Sequence, residues 1–317
     1  MIEAIVTQRH NEAEGICSFE LAAADGSALP SFQAGAHIDV HLASGLIRQY
    51  SLCPAPGQHG RYLIGVLREP ASRGGSAAMH ALQIGQGLRI SAPRNHFPLA
   101  LNARRHLLFA GGIGITPVLA MAEHLAEAGH DFLLHYCARS MGRMAFAPRI
   151  RTGPIGARAT FHLDDGPAGQ KLDLDVALGA PQEGTHVYVC GPGGFMDWVL
   201  SGARSRGWPE DQLHKEYFSA PAPSAATQEQ AFEVQIGLGG AIHAVPAGRS
   251  VVEVLAKNGI EIAVSCEQGV CGTCLTRVLD GTPDHRDVFL TDREHAANDC
   301  FMPCCSRALS HRLVLDL

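Results

Sequence analysis

Three cysteines in the last quarter of the chain constrain its fold more than any other feature. Cys266, Cys271 and Cys274 form a C-x₄-C-x₂-C pattern, which is the ligand spacing of a plant-type [2Fe–2S] cluster. Gly269 and Gly272 within the loop would let backbone N–H groups approach the cluster sulfurs. A zinc site would instead show paired C-x₂-C or Cys/His ligands. The sequence therefore predicts a [2Fe–2S] cluster bound by this loop and one distant cysteine.

The spacing leaves the fourth ligand open, because Cys304 and Cys305 are both candidates and Cys300 lies nearby. The chain has 10 cysteines and begins without the basic and apolar regions of a secretory signal. We therefore expect a reducing, cytoplasmic location, in which clustered cysteines bind metal rather than form disulfides.

Composition narrows the class of partner. Of the 317 residues 46% are hydrophobic and 18% are charged, and the formal net charge is −6. A chain without a basic excess is not expected to bind nucleic acid. No apolar run approaches the roughly 18 residues that span a bilayer, so no membrane partner is expected. The length predicts about two or three domains.

The first hundred residues are predicted to be β structure. Segments 37–42 and 61–67 resemble strands, and Gly/Pro turns separate them from their neighbours. We predict an antiparallel β-barrel over 1–100, with one helix near 75–82.

Beyond residue 100, strands alternate with helices. Buried-type strands are predicted at 106–110, 131–137 and 186–190, and a helix at 118–128. This alternation indicates a parallel α/β sheet over 101–220.

A third domain follows a segment rich in Pro, Ala and Ser. That segment, 221–230, has no apolar periodicity and is predicted to be a linker. From 231 to 317 the chain returns to strands, with a short helix at 250–258 before the cysteine loop. We predict a β-grasp ferredoxin domain there, which makes the whole a multidomain protein.

A tetrapeptide in the predicted barrel points to flavin. Residues 48–51 match the Arg-x-Tyr-Ser signature of the ferredoxin–NADP reductase superfamily, which supplies a cation for the phosphate and an aromatic surface for the ring. A Gly-rich turn at 72–76 precedes a predicted helix, and its backbone N–H groups suit a phosphate. The residues assigned to flavin binding are Arg48, Gln49, Tyr50, Ser51, Gly65, Val66, Gly74, Gly75 and Ser76.

A second glycine-rich turn points to a nicotinamide nucleotide. The sequence Gly-Gly-x-Gly-x-Thr-Pro at 111–117 departs from the G-x-G-x-x-G fingerprint, but it follows a strand and opens a helix. In the resembled superfamily this turn and Cys-Gly-Pro-Gly-Gly at 190–194 flank the nucleotide. The residues assigned to nucleotide binding on this basis are Gly111, Gly112, Gly114, Gly191 and Pro192.

Along its whole length the chain resembles the phthalate dioxygenase reductase and vanillate O-demethylase reductase family. The resemblance implies FMN rather than FAD, and it places Thr116 and Cys190 beside the nicotinamide ring. It also places Glu216 and Phe218 near the flavin. In that family the last cluster ligand opens a Cys-x-Ser-Arg-Ala segment, which implies Cys304 here.

The choice between NADH and NADPH rests on the end of the second predicted strand of the α/β sheet. An NADH site usually offers a carboxylate to the ribose diol, whereas this strand ends at Arg139 and Ser140. Those side chains could accept a 2′-phosphate, so NADPH stays open, while the resemblance favours NADH.

These assignments together predict an NAD(P)H-dependent oxidoreductase. A flavin links a hydride donor to a one-electron cluster, so electrons would pass from NADH through FMN and the cluster to a separate protein. We expect that protein to be a Rieske-type oxygenase, such as an aromatic dioxygenase or demethylase. The alternatives are a reductase for another acceptor, or a redox-sensing iron–sulfur flavoprotein.

Overall fold

The structure is a computed structural model that describes residues 1–43, 45–53, 60–70, 74–218 and 230–317. The predicted linker at 221–230 lies outside the described residues except for Gln230, as does the start of the Gly-rich turn at 72–73. The chain divides into two compact units, Met1–Glu216 and Tyr217–Leu317.

The first unit begins with a curled antiparallel sheet. Its strand order is β4-β3-β6-β1-β2-β5, β7 pairs with β3, and a bridge between Leu52 and Ile64 joins the two ends of the curl. Alternating side chains such as Phe19, Ile38 and Val40 fill its interior. The elements are β1 Ile2–Ala13, β2 Ile16–Ala23, β3 Ala36–His41, β4 Ile47–Ser51, β5 Arg61–Leu67, α1 Gly75–Ala81, β6 Gly87–Ile90 and β7 Arg94–Asn95.

A parallel five-stranded sheet completes the first unit. Its order is β10-β9-β8-β11-β12, and every neighbouring pair runs parallel. The elements are β8 Arg105–Gly111, α2 Ile115–Glu127, β9 Asp131–Ala138, α3 Ala147–Thr152, β10 Ala159–Leu163, α4 Leu174–Leu178, β11 Thr185–Cys190, α5 Gly193–Ser205 and β12 Leu213–Glu216.

One of the two core clusters of the first unit contains residues from both of its sheets. Helix α2 is buried along most of its length, and Val118 and Met121 belong to a cluster that also contains Ile16 and Phe97 from the antiparallel part. Burial on both sides explains why α2 is apolar nearly all round. This cluster links the two sheets within the compact unit 1–216, and the predicted domain boundary near residue 100 remains a prediction.

The second unit is a mixed sheet of order β14-β13-β19-β15-β17, with β16 paired to β18. The parallel pair β13–β19 and the antiparallel hairpin β13–β14 give the predicted β-grasp arrangement. Ser250 and Glu253 form a capping box that starts α6 where the sequence predicts a helix. The elements are β13 Phe232–Ile236, β14 Ile242–Val245, α6 Val251–Lys257, β15 Thr276–Asp280, β16 Pro283–Asp284, α7 Asp292–Ala297, β17 Cys300–Phe301, β18 Arg307–Ala308 and β19 Arg312–Leu315.

Among the described residues, the helices all fall short of the length and apolar character needed to cross a bilayer.

Candidate functional site

The two predicted nucleotide-binding turns follow adjacent strands of the parallel sheet. Ala110 of β8 lies opposite Cys190 of β11, and a glycine-rich turn begins just beyond each. The strand order reverses at this point, because β9 and β10 lie on one side of β8 and β11 and β12 on the other. Open α/β sheets bind ligands at such a switch point, beyond the carboxyl ends of the strands.

The two turns touch through their backbones. A Cβ added to Gly114 would lie 2.2 Å from the carbonyl oxygen of Cys190, and one added to Gly191 would lie 2.9 Å from Cα of Gly111. Pro192 closes over Gly111, since its Cδ lies 3.0 Å from the position of a Cβ there. The absence of side chains at these glycines therefore sets the spacing between the turns. Gly112 has φ +53 and nothing within 4 Å of its Cβ position, so it faces open space.

Thr116 sits where the nucleotide turn meets the antiparallel sheet. Its side chain is buried, and its Cγ2 lies 2.8 Å from the Cβ position of Gly65 on β5, next to the buried Val66. Cε2 of the Phe146 ring lies 3.3 Å from the same Cβ position. Sequence reasoning missed Phe146, which has a left-handed φ of 58°. Nothing in the local sequence signals an aromatic residue in that conformation.

Glu216 is the acidic group of this region. It ends β12 opposite Cys190, and Ser51 Oγ donates a hydrogen bond to its Oε2 at 3.3 Å. Burial raises the pKa of Glu216 to about 8, against the opposing effect of the Ser51 hydrogen bond. Burial and the nearby Glu216 carboxyl also raise the pKa of the Cys190 thiol. At neutral pH both groups are therefore protonated.

The predicted phosphate cation lies beside the start of α1. A Cβ on Gly75 would lie 2.5 Å from Nε of Arg48, so the arginine side chain fits against this glycine. Gly74 has φ 98° and precedes the helix, and Ser76 Oγ accepts a hydrogen bond from the backbone N–H of Glu69. Tyr50 is on the same side of β4 as Arg48, because alternate residues of a strand share a face.

Gln49 occupies a different environment from its neighbours. Its amide nitrogen donates to Asp39 Oδ1 at 3.0 Å, and the same carboxylate pairs with Arg94 at 2.6 Å. Its side chain is thus used within the antiparallel sheet, and a flavin contact of Gln49 would involve its backbone.

Arg139 and Ser140 follow β9, next to the central strand β8. Arg139 is exposed and Ser140 is half-buried. Arg143 nearby forms an ion pair with Glu14 at 3.5 Å. Asp165 donates its backbone N–H to the carbonyl oxygen of Arg139, and Asp164 donates its own to that of Ala138, so two acidic residues lie beside this strand end. Sequence reasoning missed these acidic residues, because they follow the edge strand β10 rather than β9.

The second unit gathers the cluster cysteines. Cys266, Cys271 and Cys274 are buried, and Cys304 is partly buried. Hydrogen bonding from Cys266 lowers the pKa of Cys271, and hydrogen bonding from Cys274 lowers the pKa of Cys304. Each pair therefore favours a thiolate, which is the form that binds iron.

The loop between these cysteines fits a cluster. The backbone N–H of Gln268 points to Cys266 Sγ at 3.3 Å. Gly272 has φ +71, and a Cβ there would lie 2.2 Å from the ring of Phe289, so the loop closes tightly at this glycine. Thiolate donors in a closed loop with amide hydrogen bonds are the surroundings of a [2Fe–2S] centre.

The structure also brings the neighbouring cysteine close. Cys305 Sγ lies 2.5 Å from the Cβ position of Gly269, and it is directed to the Met302 carbonyl oxygen at 3.8 Å. Cys304 as the ligand therefore remains a prediction, to be tested against Cys305. Phe218 falls in the second unit, 39% exposed, and its predicted role beside the flavin likewise remains a prediction.

Comparisons with known proteins agree with this geometry. Residues 237–309 match the family described as 2Fe-2S iron-sulfur cluster binding domain. The chain is 58% identical over 319 residues to vanillate O-demethylase oxidoreductase of Pseudomonas putida, with 100% of both chains covered. It is 41% identical over 307 residues to the phthalate 4,5-dioxygenase oxygenase reductase subunit of Pseudomonas putida, covering 96% of this chain and 93% of the relative. The chain belongs to the vanillate O-demethylase and phthalate dioxygenase reductase family.

A solved member of this reductase family has the same fold. Phthalate dioxygenase reductase, described as a modular structure for electron transfer from pyridine nucleotides to [2Fe-2S], is 36% identical with a TM-score of 0.79, covering 100% of this chain and 98% of that one. Membership of the reductase family confirms the predicted fold class, the NAD(P)H-dependent oxidoreductase activity, and the cofactors FMN, [2Fe–2S] and NADH. The phthalate 4,5-dioxygenase relative is named as the reductase subunit of an oxygenase.

Proposed function

We propose that the chain is the reductase component of a Rieske-type oxygenase that removes the methyl group of vanillate or a closely related methoxybenzoate. The full-length identity of 58% to a vanillate O-demethylase oxidoreductase carries this proposal. The identity to the phthalate 4,5-dioxygenase reductase subunit is lower, at 41%. Methoxybenzoate demethylation is therefore favoured over ring dioxygenation.

Each of three segments binds one cofactor. Residues 1–100 bind FMN, 101–220 bind NADH, and 231–317 carry the cluster, with the linker at 221–230. A bound flavin accepts a hydride and releases electrons one at a time, which couples the nucleotide to the one-electron cluster.

The residues of the switch point position the nicotinamide. Gly114 and Gly191 keep the two turns in backbone contact, which leaves room for the pyrophosphate at the start of α2. Thr116 and Cys190, which are both buried, would hold the nicotinamide ring beside the ends of β8 and β11. Since geometry of this kind controls hydride transfer, an error of about 1 Å is expected to cost roughly 10²-fold in rate.

Glu216 and Ser51 control the charge next to the flavin ring rather than the position of the ring. With its pKa near 8, Glu216 holds a proton at neutral pH, and Ser51 fixes the carboxyl through its bond to Oε2. A neutral carboxyl avoids placing an anion beside a ring that becomes electron-rich during turnover. Arg48, which lies against Gly75 at the start of α1, would supply the cation for the FMN phosphate.

The cluster domain meets the oxygenase through its acidic surface. Between 232 and 317, Asp and Glu outnumber Arg and Lys, so the docking partner presents a basic patch and transfer slows with added salt. The ten free cysteines fit a reducing, cytoplasmic setting.

Anaerobic titration with NADH tests the electron path. Bleaching of the flavin band together with a rhombic EPR signal of the reduced cluster is the expected result. Flavin bleaching without the EPR signal would contradict the four-cysteine site, and the same titration with NADPH compares the two nucleotides.

Reconstitution tests the partner. The reductase is mixed with a purified vanillate-type Rieske oxygenase, and formaldehyde is measured against NADH consumed. A phthalate-type oxygenase serves as the comparison. Efficient coupling to neither oxygenase, alongside rapid reduction of cytochrome c, would refute the Rieske assignment and leave the reductase class intact.

A further inference from the structure

Two histidines and one aspartate converge beside the cluster loop, outside the iron site. His285, Asp287 and His295 each offer one ligand atom, and these atoms all lie within 4.8 Å of one another. His295 Nε2 is 3.3 Å from both carboxylate oxygens of Asp287. His285 Nδ1 is 3.8 Å from Asp287 Oδ1. We propose that these three side chains bind a divalent transition metal ion, and that this ion is Zn²⁺.

The hydrogen bonds around His285 fix its tautomer. Asn298 Nδ2 donates to the carbonyl oxygen of Ala296, so Asn298 Oδ1 is the atom that faces His285 Nε2 at 3.3 Å. Since Oδ1 only accepts, Nε2 of the neutral imidazole carries the hydrogen, and Nδ1 of that ring carries the lone pair. A metal-bound histidine commonly donates its other N–H to an oxygen in this way.

Within the part of the chain that the structure describes, the lone pair of His285 has no hydrogen-bond partner. The side chain is 10% exposed, and Nδ1 is a buried atom left without a partner among the described residues. It points at the fully buried carboxylate of Asp287, at a distance too long for a hydrogen bond. Two acceptors facing each other in this way are stabilised by a cation between them.

The spacing suits zinc. Bonds of about 2.0–2.1 Å in a tetrahedral site separate ligand atoms by roughly 3.3 Å, and the observed separations from Asp287 are 3.3 and 3.8 Å. The two imidazole rings are direct neighbours, with their centroids 4.4 Å apart. His295 is 27% exposed and leaves an entry path and a fourth position for water.

The site is joined to the cluster loop. A Cβ on Gly269 would lie 2.9 Å from Cα of Asp287, and the N–H of Val288 donates to the Gly269 carbonyl oxygen at 3.0 Å. Net charge near a [2Fe–2S] cluster sets its reduction potential. Zinc binding here therefore shifts the potential of the cluster to more positive values.

The test uses the untagged chain with its cluster intact. After dialysis against a chelator, Zn²⁺ is titrated in competition with a chromophoric indicator, and zinc and iron are counted per chain. The expected result is one Zn²⁺ retained with two irons unchanged, and no comparable binding of Mg²⁺. No zinc retained, or zinc gained only as iron is lost, would overturn the proposal.

Two variants and one control locate the site. His295→Gln removes an accessible ligand on α7 and should weaken zinc binding by at least 10-fold. Asn298→Gly removes the side chain that binds His285 and should weaken zinc binding to the same extent. Glycine is chosen at this position because Asn298 has a φ of 54°, which glycine adopts without strain. His311→Gln changes an exposed histidine of the same unit outside the site and should bind zinc like the parent. Parent-like zinc affinity in His295→Gln would assign the three residues to an ion pair network instead. The zinc-dependent shift in cluster potential should disappear in His295→Gln and persist in His311→Gln.

Discussion

Replacing Gly114 with alanine should disable the nucleotide site while leaving the other cofactors in place. The added carbon would lie 2.2 Å from the Cys190 carbonyl oxygen and 2.6 Å from the Gly191 nitrogen. Ordinary contact begins near 3.4 Å, so the two turns must separate by about 1.2 Å. Both contacts are with backbone, so no flexible side chain can yield instead.

That displacement sets the expected magnitude. A 1 Å misplacement of reacting groups costs roughly 10²-fold in rate, so kcat/KM for NADH with ferricyanide should fall by about that factor. Overpacking of this kind costs about 1–3 kcal/mol of stability. For a unit of this size each kcal/mol lowers Tm by roughly 2–4 °C.

The assay is steady-state NADH oxidation, with flavin absorbance and iron content measured on the same sample. Gly169→Ala is the matched control, because nothing lies within 4 Å of its Cβ position. Full flavin and iron content with a lost NADH reaction is the expected outcome for Gly114→Ala. An NADH reaction equal to that of the control would refute the view that backbone contact between the turns positions the nucleotide.

Three further changes test the remaining features. Cys304→Ser should abolish the reduced-cluster EPR signal, whereas Cys305→Ser should keep it; the reverse pattern would make Cys305 the fourth ligand. Because burial raises the pKa of Glu216 to about 8, NADH oxidation should decline as pH rises through 8, and Glu216→Gln should flatten that decline; coinciding pH profiles would contradict the charge role. Burial lowers the pKa of His37 and of His135 to about 4, below the value of 6.5 for the unfolded chain. Below pH 6.5 the unfolded state therefore binds more protons than the folded state. Titration of these histidines should not change the free energy of unfolding above pH 6.5. Between pH 6.5 and 4 it should lower the free energy of unfolding, by about 3 kcal/mol for His37. Urea titrations at pH 7 and pH 4.5 measure this loss, and His37→Gln should reduce it.

Local patterns in the sequence predicted several elements of the fold. Strand β5 coincides with the alternating segment 61–67, and α6 begins at the Ser250–Glu253 capping box. The α/β alternation also implies that turns after β8 and β11 meet at one edge of the sheet, since parallel strands end together.

Contacts between residues that are distant in the sequence could not be predicted from local patterns. Ser51 and Glu216 are 165 positions apart, and they meet because the antiparallel and parallel sheets of the first unit pack together. The bond from Gln49 to Asp39 depends on the register of β4 against β3. His285 and His295 meet because α7 folds back on the preceding loop, a geometry that spacing alone does not fix.

The boundary at Glu216 and Tyr217 bears on how such chains can be recombined in evolution. The cores of the first unit are built from residues between Ala4 and Cys190, and the core of the second from residues between Phe232 and Leu315. A gene fusion or fission near this boundary would divide neither sheet. The descendants would inherit a complete hydride-handling module and a complete one-electron module, each able to change partners without redesign of its interior.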